Sequence, residues 1–199
     1  DNNDADDAPL RVGTTREWQV QAATLRLKFG VPDTLSPWTL IPDLQHTHTS
    51  LTKRTKELMN LATIDALCIE GGGDGGAHAV RLASKIDEDN GDHIKQIMNH
   101  IYLDHSQNPG RRCWTNVTTG VSKCLTTSTK LHCFGRDRAV LPIEHLLFQG
   151  HNRNIRIPTG MTQNSVRHLA GEGICLPCLG VLIWSLMLTD SLNNTRAEG

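Results

Sequence analysis

The sequence is poor in aromatic residues, which make up 4% of its 199 positions, with one Tyr, three Phe and four Trp. Antiparallel sheets draw heavily on aromatic and β-branched side chains, so strands rich in aromatics are not expected. The chain also lacks a Gly-X-Y or heptad repeat and has an ordinary charged fraction of 21%. These absences exclude fibrous and wholly disordered classes and leave a globular chain long enough to bury a sizeable core.

The overall formal charge is only −1, but the charges are unevenly distributed along the chain. Residues 1–110 carry 10 basic and 16 acidic side chains, whereas residues 111–170 carry 9 basic and 2 acidic ones. One interpretation is that the basic segment pairs with the acidic part inside one fold. The other is an anionic partner such as nucleic acid, because phosphates favour clustered Arg and Lys. On that interpretation the nucleic-acid-binding residues are Arg111, Arg112, Arg136, Arg138, Arg153 and Arg156.

Hydrophobic spacing predicts helices over residues 14–29, 50–69, 79–86 and 92–104, behind an acidic tail at residues 1–9. The first helix has a capping-box spacing at Thr14-x-x-Glu17. The glycine-rich run at residues 71–76 is predicted to be a flexible hinge or turn, since it lacks the Lys and the spacing of a phosphate-binding loop.

After residue 110 the sequence pattern changes to short apolar runs between Thr-rich and Gly-rich stretches. This pattern predicts short strands and loops. The expected class is therefore α+β. Residues 1–110 form an acidic, mostly helical region. Residues 111–199 form a basic Cys/His-rich region with an apolar C-terminal element, and together they are expected to make one compact domain.

That apolar element is the uncharged run of 17 residues at positions 173–189. Its length is at the lower limit for a membrane span, and Pro177 and Gly180 interrupt it. A buried helix or strand that completes the core is therefore expected, and a membrane anchor is the less favoured alternative.

The six cysteines allow either disulfides or metal binding. Cys175-Leu-Pro-Cys178 is a CxxC pair that would need two further ligands to hold zinc. His168 is available as one of them, and the other could come from Cys113, Cys124 or Cys133.

The middle of the chain contains Leu131-His132-Cys133, then His145-Leu146, and then Asn154 nine residues after that His. This pattern, covering about 30 residues, resembles the zinc-containing His-Me finger, or ββα-metal, homing endonucleases. The resemblance implies His132 as general base, Cys133 and His145 as ligands of a structural zinc, and Asn154 as ligand of a catalytic magnesium. The sequence departs from the family pattern at Val140, which stands where a second Cys ligand belongs, and His132 lies one residue late.

Two functions follow from these observations. The first is a zinc-stabilised nucleic-acid-binding protein, which in its more specific form is a metal-dependent endonuclease. The second is a secreted, disulfide-bonded glycoprotein that binds another protein, suggested by the even Cys count and by sequons at Asn116 and Asn193. The cysteines link function to location: zinc binding implies an intracellular protein, and disulfides imply a secreted one.

Overall fold

The computed structural model describes residues 12–44, 51–84, 88–173 and 175–197, with the predicted acidic tail outside them. The chain divides into two compact units. The first contains Asp1–Lys123 and Lys130–Ala139, and the second contains Cys124–Thr129 and Val140–Gly199. The α+β class is confirmed, with helices predominating in the N-terminal part and one small antiparallel sheet. Residue 110, the predicted boundary between regions, lies inside the first unit.

The first unit contains four α-helices among its described residues: α1 (Val12–Phe29), α2 (Lys53–Glu70), α3 (Gly75–Ala83) and α4 (Glu88–Met98). Each corresponds to a predicted helix, but their ends differ. Thr14 lies inside α1 rather than capping it, and Ile86, assigned to the third helix, lies outside the described residues. The fourth helix ends six residues early because the chain from Tyr102 is extended and pairs in the sheet.

Helix α2 is the centre of the first unit. Thr52 caps its N-terminus by accepting a hydrogen bond from the Thr55 backbone N–H, which satisfies one of the free amide groups of the first turn. Every residue from Leu58 to Leu67 is buried, so the helix is surrounded by other elements rather than packed on one face. A helix buried all round holds neighbours on several sides, and α1, α3, α4 and the sheet all contact it.

The glycine-rich run is not the predicted hinge. Residues Gly72–Asp74 form a short 3-10 turn, and Gly75 and Gly76 begin α3. A Cβ at Gly75 would collide with the Cys68 backbone, and one at Gly76 with the carbonyl oxygen of Phe29. These glycines therefore permit close backbone approach between helices.

Three short strands form one antiparallel sheet in the order β1 (Tyr102–Asp104), β2 (Leu131–Cys133) and β3 (Arg138–Ala139). His132 is opposite Leu103 on one side and Ala139 on the other. The sheet therefore places His132 on its central strand, 93% shielded from solvent.

The second unit contains α5 (Pro142–Phe148), α6 (Gln163–Glu172) and α7 (Leu176–Ala197). Helices α5 and α6 pack together around a small apolar cluster. Its buried members are Leu146, Val166 and Ala170, and partly buried residues surround them: Ile143, Ile155, Ile157 and Met161.

The expectation that residues 173–189 complete the core is wrong. Most apolar side chains described in α7 are exposed: Val181, Leu182, Ile183, Trp184, Leu186 and Met187 are 48–68% exposed. Pro177 and Gly180 do not break the helix either. Pro177 is the second residue of α7, where its missing N–H would have had no partner in the helix.

Candidate functional site: the Asp137 cleft

His132 and Asp137 form the most concentrated arrangement of candidate catalytic groups in the first unit. The His132 Nε2 atom lies 3.3 Å from Asp137 Oδ1, with both side chains largely buried. This Nε2 makes no hydrogen bond to any group in the described part of the chain. The ring packs edge-on against Phe134 at 5.4 Å between centroids. A carboxylate beside an imidazole is the arrangement that orients a general base.

The turn between β2 and β3 determines where Asp137 points. Phe134–Arg136 form a 3-10 turn that ends at Asp137, whose backbone has a φ of 43° in the left-handed region. Asp tolerates this conformation better than most residues, but it still costs energy, and such positions often occur at functional sites. Gly135 allows the turn to approach α4, since a Cβ there would collide with the carbonyl oxygen of Asn99.

Asp137 lies on the wall of an open cavity of about 450 Å³, which we call the Asp137 cleft. Its floor includes Trp38 and Phe134, which stack edge to face at 4.7 Å. The indole Nε1 of Trp38 is buried and has no hydrogen-bond acceptor among the described residues. The full lining is Trp38, Leu44, Lys95, Gln96, Asn99, Phe134, Gly135, Arg136 and Asp137.

The cleft offers more hydrogen-bond donors than acceptors. Arg136 is an exposed guanidinium on its rim, and Gln96 and Asn99 contribute amide groups. The Lys95 ammonium donates to Asp43 Oδ2 at 2.8 Å and to Asp92 Oδ1 at 3.1 Å. The hydrogen bond to Asp43 is the main reason that the pKa of Lys95 is raised, so this side chain is charged at neutral pH.

Beside the His132 strand, Asp104 anchors the loop that follows β1. Its Oδ1 accepts hydrogen bonds from the Ser106 backbone N–H, the Ser106 hydroxyl and the Lys130 backbone N–H. Burial lowers the pKa of neighbouring His105 to about 4, with a smaller contribution from His132, so His105 is neutral at pH 7. This arrangement holds the loop in place and is structural.

The structure does not assemble the predicted metal sites. No three His, Cys, Asp or Glu side chains in the described ranges are grouped so that they could hold an ion. Cys133 belongs to the first unit and His145 to the second. Asn154 is exposed, and its backbone N–H bonds to the Asn152 side chain in a local turn. The described residues therefore form no group of three side chains that could hold the zinc or the magnesium that the resemblance implies.

Among the described residues, the CxxC pair and His168 do not form a complete zinc ligand set either. The Cys175 and Cys178 side chains are hydrogen-bonded to each other in the second unit. His168 is exposed on α6, where its Nδ1 lies 3.5 Å from Glu172. All six cysteines are free thiols in the structure.

The six predicted nucleic-acid-binding arginines divide between the two units. Arg111, Arg112 and Arg136 are exposed in the first unit, where Arg138 is half-buried, and Arg153 and Arg156 are exposed in the second. The Arg112 guanidinium lies 5.8 Å from the Phe29 ring centroid and 3.8 Å from Asp65, so its charge is partly matched. Of the six, only Arg136 lines the Asp137 cleft.

Glu70, His78 and His93 form a second cluster of residue types that bind metals, but its side chains are hydrogen-bonded to one another. Glu70 accepts from His78 and His93 through its two oxygens, at 3.2 and 3.0 Å from their Nε2 atoms. Arg81 donates to His78 Nδ1 at 2.9 Å. Because Arg can only donate, Nδ1 is the acceptor and the neutral ring carries its proton on Nε2. That nitrogen is therefore not available as a ligand, and the cluster ties α2, α3 and α4 together.

Sequence reasoning identified His132 and Arg136 but missed the other groups of the cleft. Trp38, Lys95 and Asp137 come from a connector, a helix and a turn, and no local motif links them. The one available signal was Gly135-Arg136-Asp137, a turn-forming tripeptide that begins three residues after the candidate base His132. Comparison with protein-family models, curated proteins and solved structures finds no match to this chain.

Proposed function

We propose that the protein binds nucleic acid and that the Asp137 cleft receives a phosphate-bearing segment of it. The observation that carries the proposal is the concentration of hydrogen-bond donors on the cleft lining, where two cationic and two amide side chains accompany a single carboxylate. Phosphate groups bind well to such clusters of charged and neutral donors.

The cationic and amide groups of the lining can each donate a hydrogen bond to a phosphate. The Arg136 guanidinium and the Lys95 ammonium supply positive charge, and Gln96 and Asn99 supply neutral donors. Phosphate oxygens accept from all of these groups, and guanidinium binds them in a bidentate manner. Asp137 is the one carboxylate of the lining, and His132 lies directly against it.

The test is fluorescence anisotropy with labelled single-stranded DNA and RNA 20-mers at about 50 mM and about 200 mM salt. Arg136→Glu should weaken binding at least about tenfold and reduce the salt dependence, because one phosphate contact becomes a repulsion. Lys28→Glu is the matched control, since Lys28 is exposed on α1 outside the cleft. Equal affinity of both variants would reject the cleft as the binding site.

The His132–Asp137 pair favours hydrolysis of the phosphodiester as a second, more specific function. His132 would take a proton from the attacking water as the water oxygen bonds to phosphorus, and would return it to the ester oxygen that leaves as its P–O bond breaks. Asp137 would hold the ring and stabilise its protonated form. No step here uses zinc or magnesium. His132→Ala should abolish cleavage and leave binding within about twofold, whereas unchanged cleavage removes His132 from the mechanism.

The secreted glycoprotein remains the competing proposal. Asn116 is exposed, and its Oδ1 accepts from the Thr118 and Thr119 backbone N–H groups in a surface turn, where a glycan would meet no buried element. Intact mass of the natively produced protein separates the two proposals. Added sugar with a loss of about six hydrogens supports the glycoprotein, and six free thiols without sugar support the nucleic-acid-binding protein.

A further inference from the structure

Helix α7 exposes apolar side chains in all directions. Val181, Leu182, Ile183 and Trp184 follow one another through a full turn, and all four are exposed. At 100° per residue, four successive positions point to every side of a helix. An amphipathic helix that docks on a protein has a polar side that faces water, and this segment has none.

The Ser185 hydroxyl within this segment is satisfied by the helix itself. The Ser185 hydroxyl donates to the Val181 carbonyl oxygen at 2.9 Å, and no charged residue occurs between Glu172 and Asp190. Only structures that satisfy their own backbone and side-chain hydrogen bonds are stable in hydrocarbon. The helical backbone and the Ser185 hydroxyl of α7 meet that condition.

The apolarity of the segment agrees with a lipid environment. The region Gln163–Met187 contains an 18-residue window with a mean hydropathy of 1.7, of which 6% is buried. The uncharged part of α7, residues 176–189, has 14 residues and corresponds to about 21 Å at 1.5 Å per residue, against a hydrocarbon thickness of about 30 Å. Core helices of soluble domains pass the same hydropathy test, but they are mostly buried, unlike this segment.

We infer that the uncharged part of α7, residues 176–189, is embedded in the hydrocarbon of a lipid bilayer. The partner is acyl chain rather than protein, because a protein surface would cover one side of α7 and leave the opposite apolar side in water. The inference is independent of the nucleic-acid proposal, since all of its residues lie in the second unit and the Asp137 cleft lies in the first.

Flotation of the full chain with phosphatidylcholine vesicles tests this inference, since neutral vesicles remove any contribution from the basic residues. Most of the protein should float with the lipid. The double variant Ile183→Asp/Leu186→Asp should lower the vesicle partition coefficient at least about a thousandfold, because each carboxylate strongly opposes insertion. Both positions are exposed, so the fold should survive, and circular dichroism checks this.

The matched control is Val20→Asp/Leu27→Asp, which places the same two charges on exposed apolar positions of α1 and should float like the unmodified chain. Brominated phosphatidylcholine should quench Trp184, which is 64% exposed, and Trp184→Phe should remove most of that quenching. Flotation that is absent, or equal for both double variants, would overturn the inference. So would a lipid-free dimer with Trp184 shielded and unquenched, which would identify a second copy as the occupant.

Discussion

Arg26 provides a quantitative test of how the first unit is held together. Its guanidinium is 97% buried and donates four hydrogen bonds. Nε and Nη2 bind the two oxygens of Glu57 at 2.7 and 2.9 Å, and Nη1 binds the carbonyl oxygens of Pro32 and Leu35 at 3.0 and 2.9 Å. One side chain on α1 therefore fixes α2 and the connector that follows α1.

The perturbation is Arg26→Met, which keeps the aliphatic volume and removes every donor. It leaves a carboxylate and two carbonyl groups without their partner. Removing one member of a buried ion pair costs about 3–5 kcal/mol. Because the Glu57 side chain is 21% exposed, water recovers part of this loss. We expect the free energy of unfolding to fall by about 3 kcal/mol. The free energy of unfolding of Arg26→Lys should lie between those of the unmodified chain and Arg26→Met, since an ammonium cannot reproduce the planar, bidentate contact.

Urea denaturation at pH 7 measures the change through the transition midpoint, with the slope expected to stay constant. Lys28→Met is the control, because it removes the same charge from an exposed position of α1 and should change stability by less than about 0.5 kcal/mol. The double variant Arg26→Met/Glu57→Met should recover much of the loss, because it removes the uncompensated carboxylate as well. If Arg26→Met and Lys28→Met have equal midpoints, the guanidinium contributes no net stability and the reasoning fails.

Three further predictions follow from buried groups. Cys113 should resist iodoacetamide at pH 8 under native conditions while exposed Cys124 is labelled, because burial raises the Cys113 pKa to about 12. Peptide mass spectrometry measures the order in which the two cysteines are labelled. Labelling of Cys113 before Cys124 would contradict the prediction. The free energy of unfolding should fall by up to about 3 kcal/mol from pH 6.5 to pH 4, because His105 is protonated in that range in the unfolded chain but has a pKa of about 4 in the folded chain. A His105→Gln variant should lose this part of the pH dependence in urea titrations. Gly135→Ala should weaken nucleic-acid binding by forcing the turn away from Asn99. Gly180→Ala, where a Cβ has open space and φ is likewise not positive, controls for the added methyl group.

The sequence was informative where the cause of structure is local. The spacing of Leu58, Leu61 and Leu67 indicated a helix because residues three and four apart share a face, and α2 has them all buried. The limits of the fourth helix were wrong for a non-local reason. Residues from Tyr102 onward pair with a strand about 30 positions later, and hydrogen bonds to that strand outweigh a helical pattern.

The Asp137 cleft could not be predicted in the same way. Trp38, Lys95 and Arg136 are separated by about 40–57 residues in sequence, and only the packing of α4 against the turn after β2 brings them together. Arg26 gives no sequence signal either, since its spacing on α1 matches that of an ordinary solvated residue. A buried charge is identified only when its four acceptors are known.

Helix α7 shows a different limit. An uncharged run of 17 residues has the same composition whether protein or lipid surrounds it, so periodicity does not separate the two environments. The environment follows from whether the rest of the fold supplies a surface to cover the run. The apolar cluster of the second unit has three buried residues and is built by α5 and α6, and the described apolar side chains of α7 remain exposed except Leu179, which is half-buried.

The zinc and disulfide hypotheses both rely on the six cysteines, and the structure divides these residues by environment. Zinc binds thiolate, so burial that raises a thiol pKa adds to the cost of forming the ligand. Cys113 is buried beside Asp104, and its pKa is raised to about 12. Cys113 is therefore the least favourable of the three cysteines that could complete the set of Cys175, Cys178 and His168. Cys124 is exposed and in the same unit as that set, so Cys124→Ser is the variant most able to abolish zinc retention.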